Sequence, residues 1–373
     1  MSSLYNLASR IQKRSAFSMK QTISEKISSV EKPSVKSKNP RLSFSKTSDL
    51  TPIASNLYRC NFNKTEFECK NKTSEFKNKV VSELRKSMSP TGTDNTYNVQ
   101  YTGQKIDKDI PTISMLLKNK VKMLRRKDKP FNKHKLGELF PKKKLFQKMR
   151  GKTCVIVSSA GSLASSNLGK FIDSHDIVMR FNHAPTANFE SDVGSKTTIR
   201  IVNSQVVSKP EFDFLNSPIF RNVSIAAWDP AAMNATLRDW LKAPDFDLFT
   251  NYEKFMINNP KADVHLIDPR SLWHLWKILQ DFATTPIVKN IPSSGFIGIA
   301  ILLPVCSELD IVEYIPSTRL NGRCHYYSEE INLRCTFGAW HPLATEKLFA
   351  LSMNVADDFT VFQKGILRIH NVE

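Results

Sequence analysis

Between Cys154 and Gln205 short apolar runs alternate with small polar clusters. Cys-Val-Ile-Val at 154–157 leads into Ser-Ser-Ala-Gly-Ser at 158–162. Ile-Val-Met-Arg-Phe at 177–181 stops at Asn182, and Thr-Ile-Arg-Ile-Val at 198–202 stops at Asn203. β-Branched and aromatic runs bounded by Ser, Gly and Asn predict strands, with a short helix over Ser166–Ile172. Further on, the pattern predicts strands at Val223–Trp228, Val264–Ile267 and Asp310–Tyr314. It predicts a helix end near Trp240 with a loop to Asp245, and a helix over Ser271–Phe282 capped by Ser271. Pro292–Gly295 reads as a turn, followed by an apolar helix over Phe296–Cys306. Strands alternating with helices predict an α/β fold. The polar clusters fall at the carboxyl ends of the strands, where open α/β sheets bind ligands, so the 154–205 stretch reads as a nucleotide-binding half.

The N-terminal part has a different texture. Residues 1–95 are rich in Ser, Lys, Asn and Thr with little periodicity. Such a composition buries too little apolar surface to offset its ordering entropy, so a disordered basic stem is expected there, and a folded domain over 96–373. Ile113, Leu116, Leu117, Val121 and Leu124 recur at helical spacing, and Asp109-Ile110-Pro111-Thr112 offers that helix a start.

The net charge of +19 calls for an acidic partner. The lysine and arginine runs at 118–127 and 142–144 all precede the patterned region and read as a solvated basic segment. No aromatic interleaving, zinc knuckle or RNA-binding signature accompanies them, which argues against nucleic acid. The six cysteines contain no Cys-x-x-Cys pair, so zinc and thioredoxin-like chemistry are disfavoured and disulfides in an oxidising compartment are favoured. Cys60 and Cys69 are close enough for a local bridge. Sequons at Asn63, Asn71, Asn222 and Asn234 point to the same compartment. Met1–Lys20, by contrast, shows no apolar run long enough for a signal or a membrane anchor.

Three places offer chemistry. Ser158–Ser162 follows a strand and precedes a helix, so small residues let backbone N–H groups approach an anion; Pro292–Gly295 is a second loop of this kind. Neither is a dinucleotide or Walker loop. Asn182 and Asn203 end strands with carboxamides suited to a base or ribose edge. The stretch Cys324-His325-Tyr326-Tyr327, with Cys335 to Lys347, contains His341 just before Pro342 and Glu346 five residues on. Imidazole is the natural base near neutral pH. A serine hydrolase lacks its Gly-x-Ser-x-Gly elbow here, and no His-x-x-x-His spacing supports metal hydrolysis.

Together these stretches resemble the sialyl motifs of the eukaryotic sialyltransferases, glycosyltransferase family 29. Cys154–Gln205 is similar to the long motif and Pro292–Glu313 to the short one. Cys324–Tyr327 is similar to the third motif, and His341–Glu346 to the His-x-x-x-x-Glu motif. All occur in the family's order from about Lys152 onward. Arg-Phe-Asn-x-Ala-Pro-Thr and Lys-Thr-Thr-Ile-Arg-x-x-Asn-Ser-Gln resemble the β-galactoside α-2,6 subgroup. The resemblance implies a GT-A-like variant fold, a single Rossmann-type sheet with flanking helices. It implies inverting transfer of sialic acid from CMP-sialic acid to the 6-hydroxyl of terminal galactose on glycoprotein N-glycans, with no cofactor and no metal.

By motif, His341 would be the general base. Ser159, Asn182, Asn203, Ser293, Ser294, Gly295, His325, Thr336 and Trp340 would surround the donor. Gln205, Asp245 and Lys347 would meet the acceptor. Glu346 would anchor local structure. Cys154 would pair with Cys306, and Cys324 with Cys335. Other readings are a sialyltransferase with a different acceptor, such as N-acetylgalactosamine, or a catalytically silent CMP-sugar-binding protein. The chain departs from the subgroup in three respects. It lacks cysteines at 97–101 and 368–373, where a further bridge is usual. It has His325 where an aromatic is commoner. The type II membrane anchor that would place the domain in the Golgi lumen is not seen in this sequence.

Overall fold

Seven strands form one sheet: β1 (Lys152–Val157), β2 (Ile177–Phe181), β3 (Ile199–Asn203), β4 (Ser224–Trp228), β5 (Val264–Leu266), β6 (Cys306–Val312) and β7 (Ile366–His370). Their order is β5-β4-β3-β2-β1-β6-β7. All neighbours are parallel except the β6–β7 edge pair, which is antiparallel. This is a computed structural model, and it describes residues 53–60, 65–88, 96–97, 99, 112–142, 145, 149–283, 285–287, 290–338 and 340–370. Those residues lie within the unit Leu50–Glu373.

A parallel sheet is covered on both faces, and the side-chain period of two divides each strand between them. Cys154 and Ile156 of β1, Ile199 and Ile201 of β3, and Ala226 and Trp228 of β4 enter one core. The Pro269–Phe282, Ser294–Leu302 and Leu343–Ser352 helices cover that core. On the opposite face, Val155 and Val157 pack with Leu163, Ile172 and Val193. Val202, Ile225 and Ala227 pack there with Tyr252 and Phe255 of the Leu248–Asn258 helix.

The fold follows the expected α/β alternation, and five of the six expected strands lie within two residues of their places. Asp310–Tyr314 instead belongs to a strand beginning at Cys306. The preceding helix therefore covers Ser294–Leu302 and does not reach Cys306. Pro304, which has no N–H to donate, ends its ladder. The Pro269–Phe282 helix is capped by Asp268, whose carboxylate accepts from the Arg270 amide at 3.1 Å. Ser271 is buried within its first turn, because Asp-Pro supplies both cap and first helical residue. β7 was not anticipated, being a short run interrupted by Arg368.

The stem expectation fails for the residues described within it. Glu66–Ser87 is a 22-residue helix with a Thr65/Glu68 capping box. Thr73, Phe76, Val80 and Leu84, three to four residues apart, are all buried on its inner side. Phe76 meets Phe362 edge-on at 6.3 Å. The average composition is polar, but one narrow stripe suffices to dock a helix. The helix expected from the spacing of Ile113 to Leu124 stops at Lys118. Beyond it the chain runs extended past the end of β5, where Met123 bridges Ile267 and the Leu124 amide donates to the Leu266 carbonyl at 2.8 Å. The proposed start at Asp109–Pro111 lies outside the described residues.

The disulfides pair Cys60 with Cys69, Cys154 with Cys306 and Cys324 with Cys335. Asn71, Asn222 and Asn234 are exposed, as glycan attachment requires, while Asn63 lies outside the described residues. Among the described residues no helix is long and apolar enough to cross a membrane.

Candidate active site

The strand order reverses between β1 and β6: β1 to β5 wind outward one way, and β6 returns on the other side of β1. A crevice opens outside the carboxyl ends at such a point. The cavity found there, of about 250 Å³, is lined by the residues just past or at the ends of five strands. Ser158 and Ser159 follow β1, Asn182 follows β2, Asn203 closes β3, Trp228 closes β4, and Glu313 and Tyr314 follow β6. Ser293–Gly295, His325, Thr336, His341 and Lys347 complete the wall.

Asn182 adopts the left-handed conformation, with φ of 50°, which Asn tolerates better than other side chains. Its backbone is held there from below, since the Arg200 guanidinium donates to the Asn182 carbonyl at 2.8 Å and the Ala184 carbonyl at 3.1 Å. Arg200 and its register partner Arg180 are almost fully buried, and burial lowers both to about 10. The Asn182 carboxamide oxygen accepts from the Asn203 amide at 3.1 Å, and the Asn203 side chain caps the next helix through the Val206 amide at 3.0 Å. Both Asn side chains thus have a structural bond while lining the cavity.

Ser293 caps the Ser294–Leu302 helix, accepting from the Phe296 amide at 3.3 Å. The positive end of that helix, with its first-turn amides, borders the cavity. Fully buried Glu346 accepts from the Ser293 amide at 2.8 Å, the Ser293 hydroxyl at 2.5 Å and the Tyr314 hydroxyl at 2.9 Å. Burial raises its pKa while the Ser293 donors oppose the rise. Gly295 is required beside it, since a Cβ there would come within 2.8 Å of the Tyr314 ring. The Trp228 indole donates to the Ser294 hydroxyl at 2.9 Å. Ser293→Ala should therefore cost about 1–3 kcal/mol, because it removes a helix cap and strips a donor from a buried carboxylate. Urea denaturation checks this, and Ser294→Ala, outside that network, should cost less.

His341 lies just ahead of the Leu343–Ser352 helix. Its Nδ1 is 2.7 Å from the Ile291 carbonyl oxygen. A carbonyl only accepts, so Nδ1 carries the proton and Nε2 keeps its lone pair. Burial lowers the imidazole to about 4, so it is neutral at physiological pH. Lys347, one residue after Glu346, is buried and donates to the Tyr314 carbonyl. Burial pushes its ammonium down to about 8, opposed by the Glu346 charge. His325 stacks on Tyr327, with ring centroids 5.0 Å apart and planes 13° apart. The Tyr326 amide donates to the Ser159 carbonyl at 3.1 Å, tying this segment to the loop after β1. Cys324, Glu330 and Cys335 form the one cluster of three potential metal ligands among the described residues. Its two sulfurs are bonded to each other and offer no thiolate.

Thus Ser159, Asn182, Asn203, Ser293, Ser294, Gly295, His325, Thr336, His341 and Lys347 converge on one cavity. Three expected residues do not line it. Trp340 is exposed and packs edge-on against His341, with centroids 4.4 Å apart. Gln205 is exposed on the first turn after Asn203, and Asp245 is exposed in the loop after the Leu237–Lys242 helix. Sequence reasoning missed Trp228, Glu313 and Tyr314, although Trp228 and Tyr314 end expected strands and Glu313 lies within one. Glu313 is buried and left-handed, with φ of 53°. It pairs with Arg319 and accepts from the Ser162 hydroxyl at 2.7 Å and the Ser317 hydroxyl at 2.8 Å.

The model of glycosyltransferase family 29 (sialyltransferase) matches residues 108–357. Beta-galactoside alpha-2,6-sialyltransferase 2 of Xenopus tropicalis is 41% identical over 278 residues, covering 73% of this chain and 54% of that protein. The Homo sapiens protein of the same name is 39% identical, covering 76% of this chain and 54% of its own length. Human beta-galactoside alpha-2,6-sialyltransferase 1 is 37% identical, covering 80% of this chain and 74% of that protein. The chain spans about half the length of the first two relatives. A solved structure, "Crystal Structure of a Mammalian Sialyltransferase", aligns over 78% of this chain and 94% of its own at 19% identity, with a TM-score of 0.41. The family match covers well over half of the chain and contains the whole of the cavity wall, and the chain belongs to glycosyltransferase family 29, the sialyltransferases.

Proposed function

We propose that this protein transfers sialic acid from CMP-sialic acid to the 6-hydroxyl of terminal β-galactose on glycoprotein N-glycans, with inversion. The observation that carries the reading is His341. Its Nδ1–H is fixed on the Ile291 carbonyl, and its ring lines a cavity otherwise made of helix-end amides, hydroxyls and carboxamides. The fixed tautomer leaves Nε2 to take the proton of the acceptor hydroxyl as its oxygen attacks the anomeric carbon. CMP departs with the bonding pair from an oxocarbenium-like transition state. The Ser294–Leu302 helix terminus and the serine hydroxyls stabilise the growing phosphate charge without a divalent metal, and Lys347, assigned to the acceptor by its motif position, adds its ammonium to the same cavity wall. Three disulfides and three exposed sequon asparagines suit the Golgi lumen.

The test is incubation of the protein with CMP-sialic acid and N-acetyllactosamine, followed by linkage analysis. An α-2,6-linked product is expected. Transfer to an N-acetylgalactosamine acceptor alone would replace the acceptor, and CMP binding without transfer to any acceptor would overturn the enzyme reading.

The two shifted groups set the pH dependence. Lys347, depressed to about 8, loses its charge as pH rises through that value, so kcat/KM should fall on the alkaline side. His341, depressed to about 4, becomes protonated as pH falls and loses its lone pair, so the acid limb lies well below neutrality in the free enzyme. An anionic donor favours both charged forms and raises both values. The kcat profile should therefore be displaced upward in pH from the kcat/KM profile. Lys347→Arg, which does not titrate in this range, should move the alkaline limb out of reach.

A further inference from the structure

Asn203 of β3 and Trp228 of β4 are register partners, and both line the cavity. The next residue on each strand is Ser204 and Asp229, and both are buried, Asp229 completely. The Asp229 carboxylate has four donors around it. Oδ2 accepts from the Trp240 indole at 2.7 Å and from the Asp245 amide at 3.0 Å, while Oδ1 accepts from the Phe246 amide at 3.4 Å. The fourth is the Ser204 hydroxyl. None of these four donors is a cation. Burial pushes the carboxyl up to about 6, and the Ser204, Trp240 and Asp245 donors hold the charged form against it. A buried carboxylate without a cation among its donors is expensive for an anchor that a neutral side chain could provide.

Asp245 and Gln205, the residue after Ser204, are both exposed, and both carry side chains fit to bond sugar hydroxyls. Neither lines the cavity, yet the Asp245 amide donates to the buried Asp229 carboxylate, and Gln205 follows Ser204, whose side-chain hydroxyl bonds the same carboxylate. Trp228, the residue before Asp229, is part of that wall.

We propose that Asp229 is the positioning residue of the acceptor subsite, holding the Asp245 loop and the Gln205 turn at a fixed separation so that the two side chains grip a terminal galactoside. This rests on the galactoside reading above. Asp229 touches no sugar itself; it acts through Asp245 and Gln205.

The test compares wild type with Asp229→Asn and Ser204→Ala by steady-state kinetics, varying N-acetyllactosamine and CMP-sialic acid separately and measuring the melting temperature of each variant. Asp229→Asn should raise the acceptor KM about tenfold, and Ser204→Ala by a smaller factor, with donor KM unchanged. Ser204→Ala leaves the charge in place and keeps the test open if Asp229→Asn folds poorly. An unchanged acceptor KM, or donor and acceptor KM rising together with a falling melting temperature, would overturn the proposal and leave only a structural role. Disaccharide affinity measured by saturation-transfer NMR with CMP bound separates this from the functional reading. A wild type that turns over no galactoside refutes that reading. Weaker disaccharide binding by Asp229→Asn than by wild type still supports the positioning role, and equal binding, or none by either, overturns it.

Discussion

Replacing His341 with alanine is expected to lower turnover by about two to four orders of magnitude while leaving CMP affinity within a few-fold of wild type. The first figure is the usual contribution of a positioned general base. The second follows from where the anion-binding groups lie. The Ser158–Ser162 loop and the two strand-end asparagines belong to elements that His341 does not touch, and the Ser293 cap, two residues after the Ile291 carbonyl, is held separately by Glu346. Among the described residues the imidazole makes one hydrogen bond, to the Ile291 carbonyl at 2.7 Å. Alanine leaves that carbonyl without its donor, at a cost of about 1–3 kcal/mol. His341→Asn places an amide N–H near the lost Nδ1–H and provides no base, so it should recover stability without activity. Single-turnover kinetics and calorimetric CMP titration check both variants. Parallel loss of CMP binding and of turnover in His341→Asn would assign the residue to folding.

The second large effect is on stability. Cys154 in β1 and Cys306 at the start of β6 join the two strands that flank the crevice, and 152 residues separate them. In the chain-entropy model a closed loop of that length contributes about 5 kcal/mol. That is comparable to the whole stability of a marginal domain. The Cys60–Cys69 bridge, with a separation of 9, should contribute only about 2.5 kcal/mol on the same scale. Cys154→Ala/Cys306→Ala should therefore lower the melting temperature by about ten degrees or more, and Cys60→Ala/Cys69→Ala by clearly less. Scanning calorimetry of the two double variants decides the order. An equal or reversed order would show that native packing, not loop length, sets the contribution of each bridge. Both sulfurs of the longer bridge are buried in the sheet core, so reductant should reach it slowly.

Much of the site was legible because its residues sit where local rules put them. A strand reads from its β-branched run and its end from the polar residue that follows, so Ser159, Asn182 and Asn203 were visible as strand-end residues. Ser293 was visible as the turn before an apolar helix. His341 was visible only through its motif, since one histidine before a proline has no local meaning. The role of Glu346 as an anchor was legible in the same way, and its three donors bear it out. The stem expectation failed for the opposite reason. Average composition weighs every residue alike, whereas docking of the Glu66–Ser87 helix depends on the four residues of one stripe.

What the sequence determined by itself was the α/β alternation from β1 to β6 and the polar residues at the strand ends. Side-chain period, chain punctuation and the spacing of cysteines are local properties that survive without a fold. Only the tertiary structure decided that β6 lies beside β1, and hence where the crevice opens. It also decided that Nδ1 of His341 meets a carbonyl, that Lys347 is buried in the cavity wall, and that the Asp229 carboxylate accepts from Trp240, Asp245 and Phe246. Each of these depends on groups far apart in the chain meeting within hydrogen-bond reach. The pKa shifts and hydrogen bonds that follow come from desolvation and geometry, which arise only when the chain closes around the site.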